Sequence, residues 1–347
     1  MAFESQSVER KELAIMKILS DSREPVGARV VSHYLKDRGI ELSERAVRYH
    51  LKLMDERGLT YLAGRRDGRV LTDNGHDEVK SALVNDKVGF TISKIETLAY
   101  RTSFDLKKRS GLIPVNISLF NSKDFSRALQ AMKPTFEDGL CISDLVAIGS
   151  EGEYLGDIYV PPGKIGIATV CSIIYNSAFL KAGLPMNSRF GGILQLRHHK
   201  PLRFAEIIDY AGCSLDPSTI FIKAGMTSVG KVVSKGDGEV LANFREIPSI
   251  CRTHAEEIVA GLNEAGFQGL VFMGGTSEPV CEVPVDLNKI GMVLLGGLNP
   301  VAAAEEANIQ ADISAMSTVM EYCDMVPLRE AFIEYKDLLK FREVSKR

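Results

Sequence analysis

Residues 43–58 read SERAVRYHLKLMDERG and predict one amphipathic helix. Ser43 is a good N-cap because its hydroxyl can accept from a backbone N–H in the first turn, and Gly58 is typical of a helix end. Three apolar residues recur at i, i+4 and i+7 and predict a buried stripe: Val47, Leu51 and Met54. The opposite face carries three basic residues and a tyrosine: Arg45, Arg48, Tyr49 and Lys52.

The flanking sequence places this helix third in a small domain. Helical patterns precede it at Val8–Leu19 and Ala28–Asp37, and the turn Gly39–Leu42 separates the second helix from the third. Two short strands follow, Leu59–Ala63 and Arg69–Leu71, around a basic tip with a glycine at each end. A last helix is expected over residues 77–84. Three helices followed by a hairpin predict a winged helix-turn-helix.

The basic residues of this domain favour DNA binding. A helix with exposed Arg, Lys and Tyr side chains suits the major groove, and a basic hairpin can follow the phosphate backbone as a wing. A solvated helix face with a basic turn is the alternative, but the combination of elements favours a DNA contact. The expected contacts are Ser43, Arg45, Arg48, Tyr49, Lys52, Arg65, Arg66 and Arg69.

The composition narrows the class of protein. The 42 basic and 45 acidic residues give a net charge of -3, so contact with a nucleic acid needs a local patch. Six cysteines stand at least 30 residues apart, without a C-x-x-C pair, so reduced thiols are expected and no metal site. The N-terminus lacks the pattern of a signal peptide, and the uncharged stretches are too short for a membrane span. A cytoplasmic protein is expected.

The rest of the chain contains an internal repeat. Leu145–Gly149 matches Leu270–Gly274, and 164–167 matches 289–292, both at an offset of 125 residues. Apolar runs that resemble strands alternate with helical patterns, and one such helix is expected over Phe204–Tyr210. We therefore expect an α+β protein, in which the N-terminal winged helix-turn-helix precedes an internally duplicated α/β regulatory domain with a cleft between its halves.

The predicted boundaries follow from these patterns. Residues 1–84 form the winged-helix domain, residues 85–330 the regulatory and dimerisation domain, and residues 331–347 a C-terminal tail.

Short motifs in both parts resemble the NrpR family of nitrogen-responsive repressors. Ile15–Leu19, Arg48–Leu51 and Gly58-Leu59 resemble the winged helix in front of NrpR regulatory domains, and a related module precedes ribonuclease R. Four later motifs resemble the regulatory domain itself: Ser150–Glu153, Pro161–Gly166, Thr169–Ser172 and Leu298–Pro300.

The resemblance implies a repressor of nitrogen-assimilation genes that 2-oxoglutarate releases from DNA, and it implies no further cofactor. Some family members carry two tandem regulatory domains, whereas this chain has the length for one. The family therefore leaves open whether a second regulatory subunit or a higher oligomer completes the assembly.

A small dicarboxylate needs cationic side chains, hydroxyl donors and backbone N–H groups in a cleft. The repeated segments offer such groups at strand ends and beside a glycine pair, although ordinary strand-end turns and solvent-facing arginines are the alternative. The candidate effector residues are Ser150, Cys171, Ser172, Arg189, Arg197, Thr276 and Ser277.

Since one winged helix reads one half-site, we expect a homodimer on a palindromic operator. Two other functions remain open at this stage. The chain is either a regulatory subunit that acts through protein contacts or an enzyme whose N-terminal module recruits nucleic acid. The enzyme ranks lowest because no paired acid and base and no cluster of metal ligands is visible in the sequence.

Overall fold

The computed structural model describes residues 2–22, 24–37, 40–64, 68–81, 89–333 and 335. The contacts divide the chain into two units, Met1–Val88 and Gly89–Arg347, and each is described by itself. The domain boundary expected after residue 84 falls within residues 82–88, outside the described residues.

The N-terminal unit has the predicted order of elements. It comprises α1 (Ala2–Asp21), α2 (Ala28–Asp37), α3 (Glu44–Glu56), β1 (Thr60–Gly64), β2 (Gly68–Leu71) and α4 (Asp73–Ser81). Helix α4 begins four residues earlier than expected because the Thr72 hydroxyl accepts from the Gly75 N–H at 3.0 Å and caps it.

The core of this unit lies between the first three helices. Val47, Leu51 and Met54 are fully buried, as the apolar stripe of α3 predicts. One charged residue interrupts the apolar pattern of α1, namely Glu12, which is only 4% exposed. Its carboxylate accepts from Arg57 Nη1 at 2.6 Å, so α1 and the end of α3 are joined by an ion pair.

The regulatory unit begins with α5 (Phe90–Arg101) and continues through two successive sets of helices and strands. The first set is β3 (Leu112–Asn121), α6 (Phe125–Glu137), β4 (Leu145–Gly149), β5 (Tyr154–Leu155), β6 (Ile158–Tyr159), β7 (Lys164–Val170), α7 (Ile173–Lys181), β8 (Asn187–Arg197) and β9 (Lys200–Asp209). The second is α8 (Pro217–Lys223), α9 (Val229–Lys235), β10 (Gly238–Pro248), α10 (Arg252–Glu264), β11 (Leu270–Thr276), β12 (Lys289–Leu295), α11 (Asn299–Glu306), β13 (Ala311–Glu321) and β14 (Val326–Pro327).

These strands form two five-stranded antiparallel sheets. One has the order β13-β3-β7-β4-β14 and the other the order β11-β12-β10-β8-β9. The strand after each half pairs with the sheet of the other half, since β8 pairs with β10 and β13 pairs with β3. The two halves are therefore interlocked by exchanged strands.

The structure confirms the internal duplication. Strand β7 and strand β12 keep the offset of 125 residues at both ends, while α6 and α10 are 127 residues apart at both ends. The ladders match as well: Asn116 faces Thr169 in the first half, and Asn243 faces Leu294 in the second. Asn116 and Asn243 are thus equivalent residues of the two halves.

The helix predicted over Phe204–Tyr210 is wrong, because residues 200–209 form strand β9. His198 and His199, both at positive φ, make the turn that joins β9 to β8. Two register shifts interrupt the β8–β9 ladder and break the alternation of side chains. The apolar residues Phe204, Ile207 and Ile208 are consequently spaced as they would be in a helix.

The predicted tail also differs where it is described. Ala331 and Tyr335 are 4% and 7% exposed and belong to the core of the regulatory unit. The Tyr335 ring contacts the Phe125 ring at a centroid distance of 4.9 Å. Residues 336–347 lie outside the described residues.

Two searches of the described residues gave no site. Among the helices within these ranges, none is long and apolar enough to cross a membrane. The same residues contain no group of three or more His, Cys, Asp or Glu side chains that could hold a metal ion.

Candidate functional site

The exposed face of α3 is the first candidate site. Ser43 caps the helix, and its hydroxyl accepts from the Ala46 N–H at 3.2 Å. Tyr49 is 62% exposed, and the side chains of Arg48 and Lys52 are 67% and 73% exposed. Arg45 is exposed on the same face. The four predicted side chains therefore share one solvent-facing surface, which we call the α3 face.

The ion pairs on the α3 face are weak. Arg48 pairs with Glu44 one turn earlier, and Lys52 lies 3.8 Å from Glu56 one turn later. Exposed pairs of this kind contribute about 0.3–0.5 kcal/mol, so a phosphate can displace either glutamate. Arg45 has no ion-pair partner among the residues that the structure describes.

Buried contacts fix the position of α3. His50, on the inner side of the helix, is 8% exposed, and its Nδ1 lies 3.7 Å from Glu12 Oε1. The same carboxylate holds Arg57 just after the helix. Removal of one partner from a buried ion pair costs about 3–5 kcal/mol, so these contacts resist any tilt of α3 against α1.

The hairpin packs closely against the rest of the unit. Val26 and Arg69 exchange two backbone hydrogen bonds of 2.9 and 3.0 Å. Gly68 has a φ of +94°, and a Cβ there would meet Val26 carbonyl carbon at 2.4 Å. The Arg69 side chain is held by Asp55, with Nε 2.8 Å from Oδ2. The predicted contacts Arg65 and Arg66 lie outside the described residues.

A first prediction concerns the cap of α3. We expect Ser43→Ala to lower the free energy of unfolding of the N-terminal unit by about 1 kcal/mol, because the Ala46 N–H loses its acceptor. Chemical denaturation of the full chain, followed by a probe in the N-terminal unit, measures this change. Ser22→Ala is the matched control, since its hydroxyl donates to the Glu24 carbonyl outside any helix. Equal stability of the two variants would contradict the capping role.

The second candidate site is a cavity between the two halves of the regulatory unit. Its volume is about 20 Å³. Equivalent residues of the two halves line it: Asn116 and Asn243 from β3 and β10, and Ser172 and Gly297 from the turns that precede α7 and α11. The N-terminal ends of both helices therefore border the cavity, and their backbone dipoles favour an anion there.

A buried arginine supplies the charge of this cavity. Arg245 lines it and is 1% exposed. Its Nε donates to Asn176 Oδ1 at 3.2 Å, and its guanidinium carbon lies 5.4 Å from the centre of the Tyr210 ring. Its Nη1 is buried and makes no hydrogen bond. A buried guanidinium with an unused donor is a fitting partner for a carboxylate.

The neutral groups around Arg245 form a connected network. The Tyr210 hydroxyl donates to Asn243 Oδ1, and Asn243 Nδ2 donates to Ser172 Oγ at 3.3 Å. Burial raises the pKa of Tyr210 to about 12 and that of Cys171 to about 11. Both groups are therefore neutral at physiological pH, and the hydroxyl of Tyr210 keeps its proton for hydrogen bonding.

One acidic residue also lines the cavity. Asp216 caps α8, and its Oδ1 accepts from the Thr219 N–H at 2.9 Å. Burial raises the pKa of this carboxyl above its ordinary value, and the bond from Thr219 opposes that shift. The charge that Asp216 brings is thus engaged at the start of α8, while the Arg245 donor is unused.

The structure brings together two of the seven predicted effector residues. Cys171 and Ser172 line the cavity, although the Cys171 N–H already donates to the Pro114 carbonyl at 2.9 Å. The other five do not line it: Ser150, Arg189, Arg197, Thr276 and Ser277.

Three of these five residues have partners elsewhere. Arg189 is bound to Glu246 at 2.7 Å and to the Pro284 carbonyl at 2.9 Å. The Ser150 N–H donates to Glu153 at 2.7 Å, and the Ser277 hydroxyl accepts from the Asn288 N–H at 2.9 Å. Arg197 and Thr276 are exposed.

The residues that sequence reasoning missed share one signal. Arg245 and Glu246 are adjacent charges inside an uncharged run, in a strand whose pairing continues to Pro248. Charges in a buried strand are rare without a specific role, so this pair could have been singled out. Asn116, Asn243 and Tyr210 carry no comparable signal, because their convergence depends on the exchanged strands.

Comparison with known proteins covers both units. Residues 88–327 match the family described as NrpR regulatory domains NRD1 and 2, and residues 13–79 match the ribonuclease R winged-helix domain. A crystal structure of a nitrogen repressor-like protein from Methanococcus jannaschii aligns with a TM-score of 0.60 and 26% identity. The alignment covers 70% of this chain and 99% of that one.

Curated relatives match over nearly the whole chain. The global nitrogen regulator NrpRI of Methanosarcina mazei is 40% identical over 318 residues, which are 92% of this chain and 98% of that protein. The global nitrogen regulator NrpR of Methanococcus maripaludis is 32% identical over 94% of this chain. The match covers 56% of that longer protein.

Proposed function

The chain belongs to the NrpR family of nitrogen regulators, and on that premise we propose that it is a repressor of nitrogen-assimilation genes controlled by 2-oxoglutarate. It is a regulator and not an enzyme. The observation that carries the proposal is the α3 face, on which Arg45, Arg48 and Lys52 are exposed on a helix capped by Ser43. A helix of this kind enters the major groove in winged-helix proteins.

The proposed DNA complex contains two copies of the chain. One α3 helix covers a half-site, so a homodimer binds a palindromic operator whose half-sites are about one helical turn apart. Arg45 and Arg48 have the fork of donors that reads guanine, and Lys52 neutralises a phosphate.

The proposed effector site is the Arg245 cavity. A carboxylate of 2-oxoglutarate accepts from the unused Nη1 of Arg245, and the N-terminal ends of α7 and α11 stabilise its charge. A volume of about 20 Å³ holds about one water molecule, so the effector binds a more open form of the regulatory unit. An effector that prefers the open form shifts the population towards it.

Binding measurements test this function. Duplexes that the chain retains from a random pool supply the operator, and fluorescence anisotropy gives the affinity with and without 2-oxoglutarate. We expect the effector to weaken operator binding by about 5- to 150-fold, the usual range of allosteric coupling. Glutarate, which lacks the keto oxygen, is the matched ligand control. Unchanged operator affinity at saturating 2-oxoglutarate would refute the proposed control.

A further inference from the structure

Helix α5 forms one wall of the Arg245 cavity. Its residue Ile95 is 2% exposed and lines the cavity. Two side chains of the same helix reach across to other segments: Thr91 Oγ1 donates to the Leu215 carbonyl at 3.3 Å, and Lys94 Nζ donates to the Ala315 carbonyl at 3.0 Å. These two bonds connect α5 to segments from the two halves.

Both acceptors belong to segments that complete the cavity wall. Leu215 precedes Asp216 in the connection between β9 and α8, and Ala315 lies in the irregular part of β13. The β13–β3 ladder shifts register between Ser314 and Thr318, and Met316 has a φ of +50°. Neither acceptor therefore lies in a regular ladder of hydrogen bonds.

The remaining walls are held much more firmly. Asn116 and Arg245 lie on β3 and β10, and each of these strands is paired on both sides within its sheet. A ligand the size of a small dicarboxylate needs far more than 20 Å³, so one wall must move. The wall with the fewest restraints is α5, together with the connection that contains Leu215.

We propose that α5 is a strap that closes the Arg245 cavity and opens when Thr91 and Lys94 release Leu215 and Ala315. The proposal rests on the proposed function for the identity of the ligand. Helix α5 begins at Phe90, and the N-terminal unit ends at Val88, so α5 is the first element of the regulatory unit after that boundary. Strap opening thus alters the point at which the chain leaves the DNA-binding unit.

Alkylation of Cys171 tests the strap without a ligand. Cys171 lines the closed cavity, is 5% exposed, and has a pKa raised to about 11 by burial, so it reacts only in the open form. We expect the double variant Thr91→Val, Lys94→Met to raise the rate of its modification by N-ethylmaleimide about 5- to 30-fold, since two hydrogen bonds are lost. Peptide mass spectrometry follows each cysteine separately.

Two controls separate strap opening from general destabilisation. Glu96→Gln changes an exposed residue of the same helix and should leave the rate at Cys171 unchanged. Cys141 is also 5% exposed but does not line the cavity, so its rate reports unfolding of the unit. The proposal is overturned if the double variant leaves the Cys171 rate unchanged or raises the rates at Cys171 and Cys141 equally.

Titration with 2-oxoglutarate then separates the strap from the effector. A loosened strap binds the ligand about 5- to 30-fold more tightly and holds operator DNA less tightly without it, because opening no longer opposes binding. Faster Cys171 modification without any 2-oxoglutarate binding supports the strap and refutes the effector. Equal ligand affinity and equal Cys171 rates in both proteins refute the strap and leave the proposed function standing.

Discussion

Arg245→Met should leave operator binding intact and remove the response to 2-oxoglutarate. Arg245 supplies the buried cation of the cavity, and its Nη1 is the unused donor in it. A hydrogen bond to a charged group contributes about 1.5–3 kcal/mol, so loss of two such bonds to one carboxylate weakens the effector by about 10²-fold or more. Isothermal titration calorimetry measures the affinity, and anisotropy with operator DNA measures the response.

The same substitution should not destabilise the protein. A buried cation with one unbonded nitrogen carries a desolvation cost, and methionine fills a similar volume without that cost. The loss of the bond to Asn176 and of the contact with Tyr210 opposes this gain. We expect the free energy of unfolding to change by less than about 1 kcal/mol, which distinguishes a lost ligand contact from a collapsed cavity.

Arg189→Met is the matched control. Arg189 was an expected effector contact, but it is bound to Glu246, which also accepts from Lys289 at 3.2 Å. Glu246 keeps one cation in this variant, so stability falls while the effector response stays. A lost response in Arg189→Met with a normal response in Arg245→Met would move the effector site to the outer charge cluster.

Local patterns were sufficient to predict the N-terminal unit. The positions of Ser43, Val47 and Leu51 within one turn of each other fix both the start of α3 and its buried face, and the structure confirms both. Strands β7 and β12 have the bounds expected from their repeated motifs. In each case the information lies within about ten consecutive residues.

The cavity was not predictable in the same way, because its walls come from distant parts of the chain. Asn116 and Asn243 meet there only because β8 and β13 exchange between the sheets, and no single segment encodes that exchange. Strand β9 illustrates a second limit. Its register shifts remove the alternation by which a strand is recognised, so its apolar spacing imitates a helix.

The exchange of strands also bears on how the regulatory unit responds to a ligand. Because β8 and β13 each belong to one half by sequence and to the other by pairing, the halves cannot separate without breaking long ladders. Opening of the cavity must then come from the peripheral segments. This argument favours movement of α5 over a hinge between the halves.

The largest effect on DNA binding is expected from the α3 face. Replacement of its three cations by alanine should weaken operator binding at least 10³-fold, since each loses a base or phosphate contact worth about 1–3 kcal/mol. Alanine favours the helix, and these side chains are exposed, so stability should be unaffected. The substitutions are Arg45→Ala, Arg48→Ala and Lys52→Ala.

Salt dependence identifies the cause of this loss. Each phosphate contact adds about 0.9 to the slope of log K against log salt concentration, so six lost contacts in a homodimer make the slope shallower by about 5. The control removes the same charge from exposed sites of the regulatory unit, at Lys107, Lys108 and Arg127. If both triple variants lose affinity and slope equally, net charge explains binding and the α3 face does not. A full loss confined to the α3 variant, with a normal melting temperature, assigns DNA recognition to that helix.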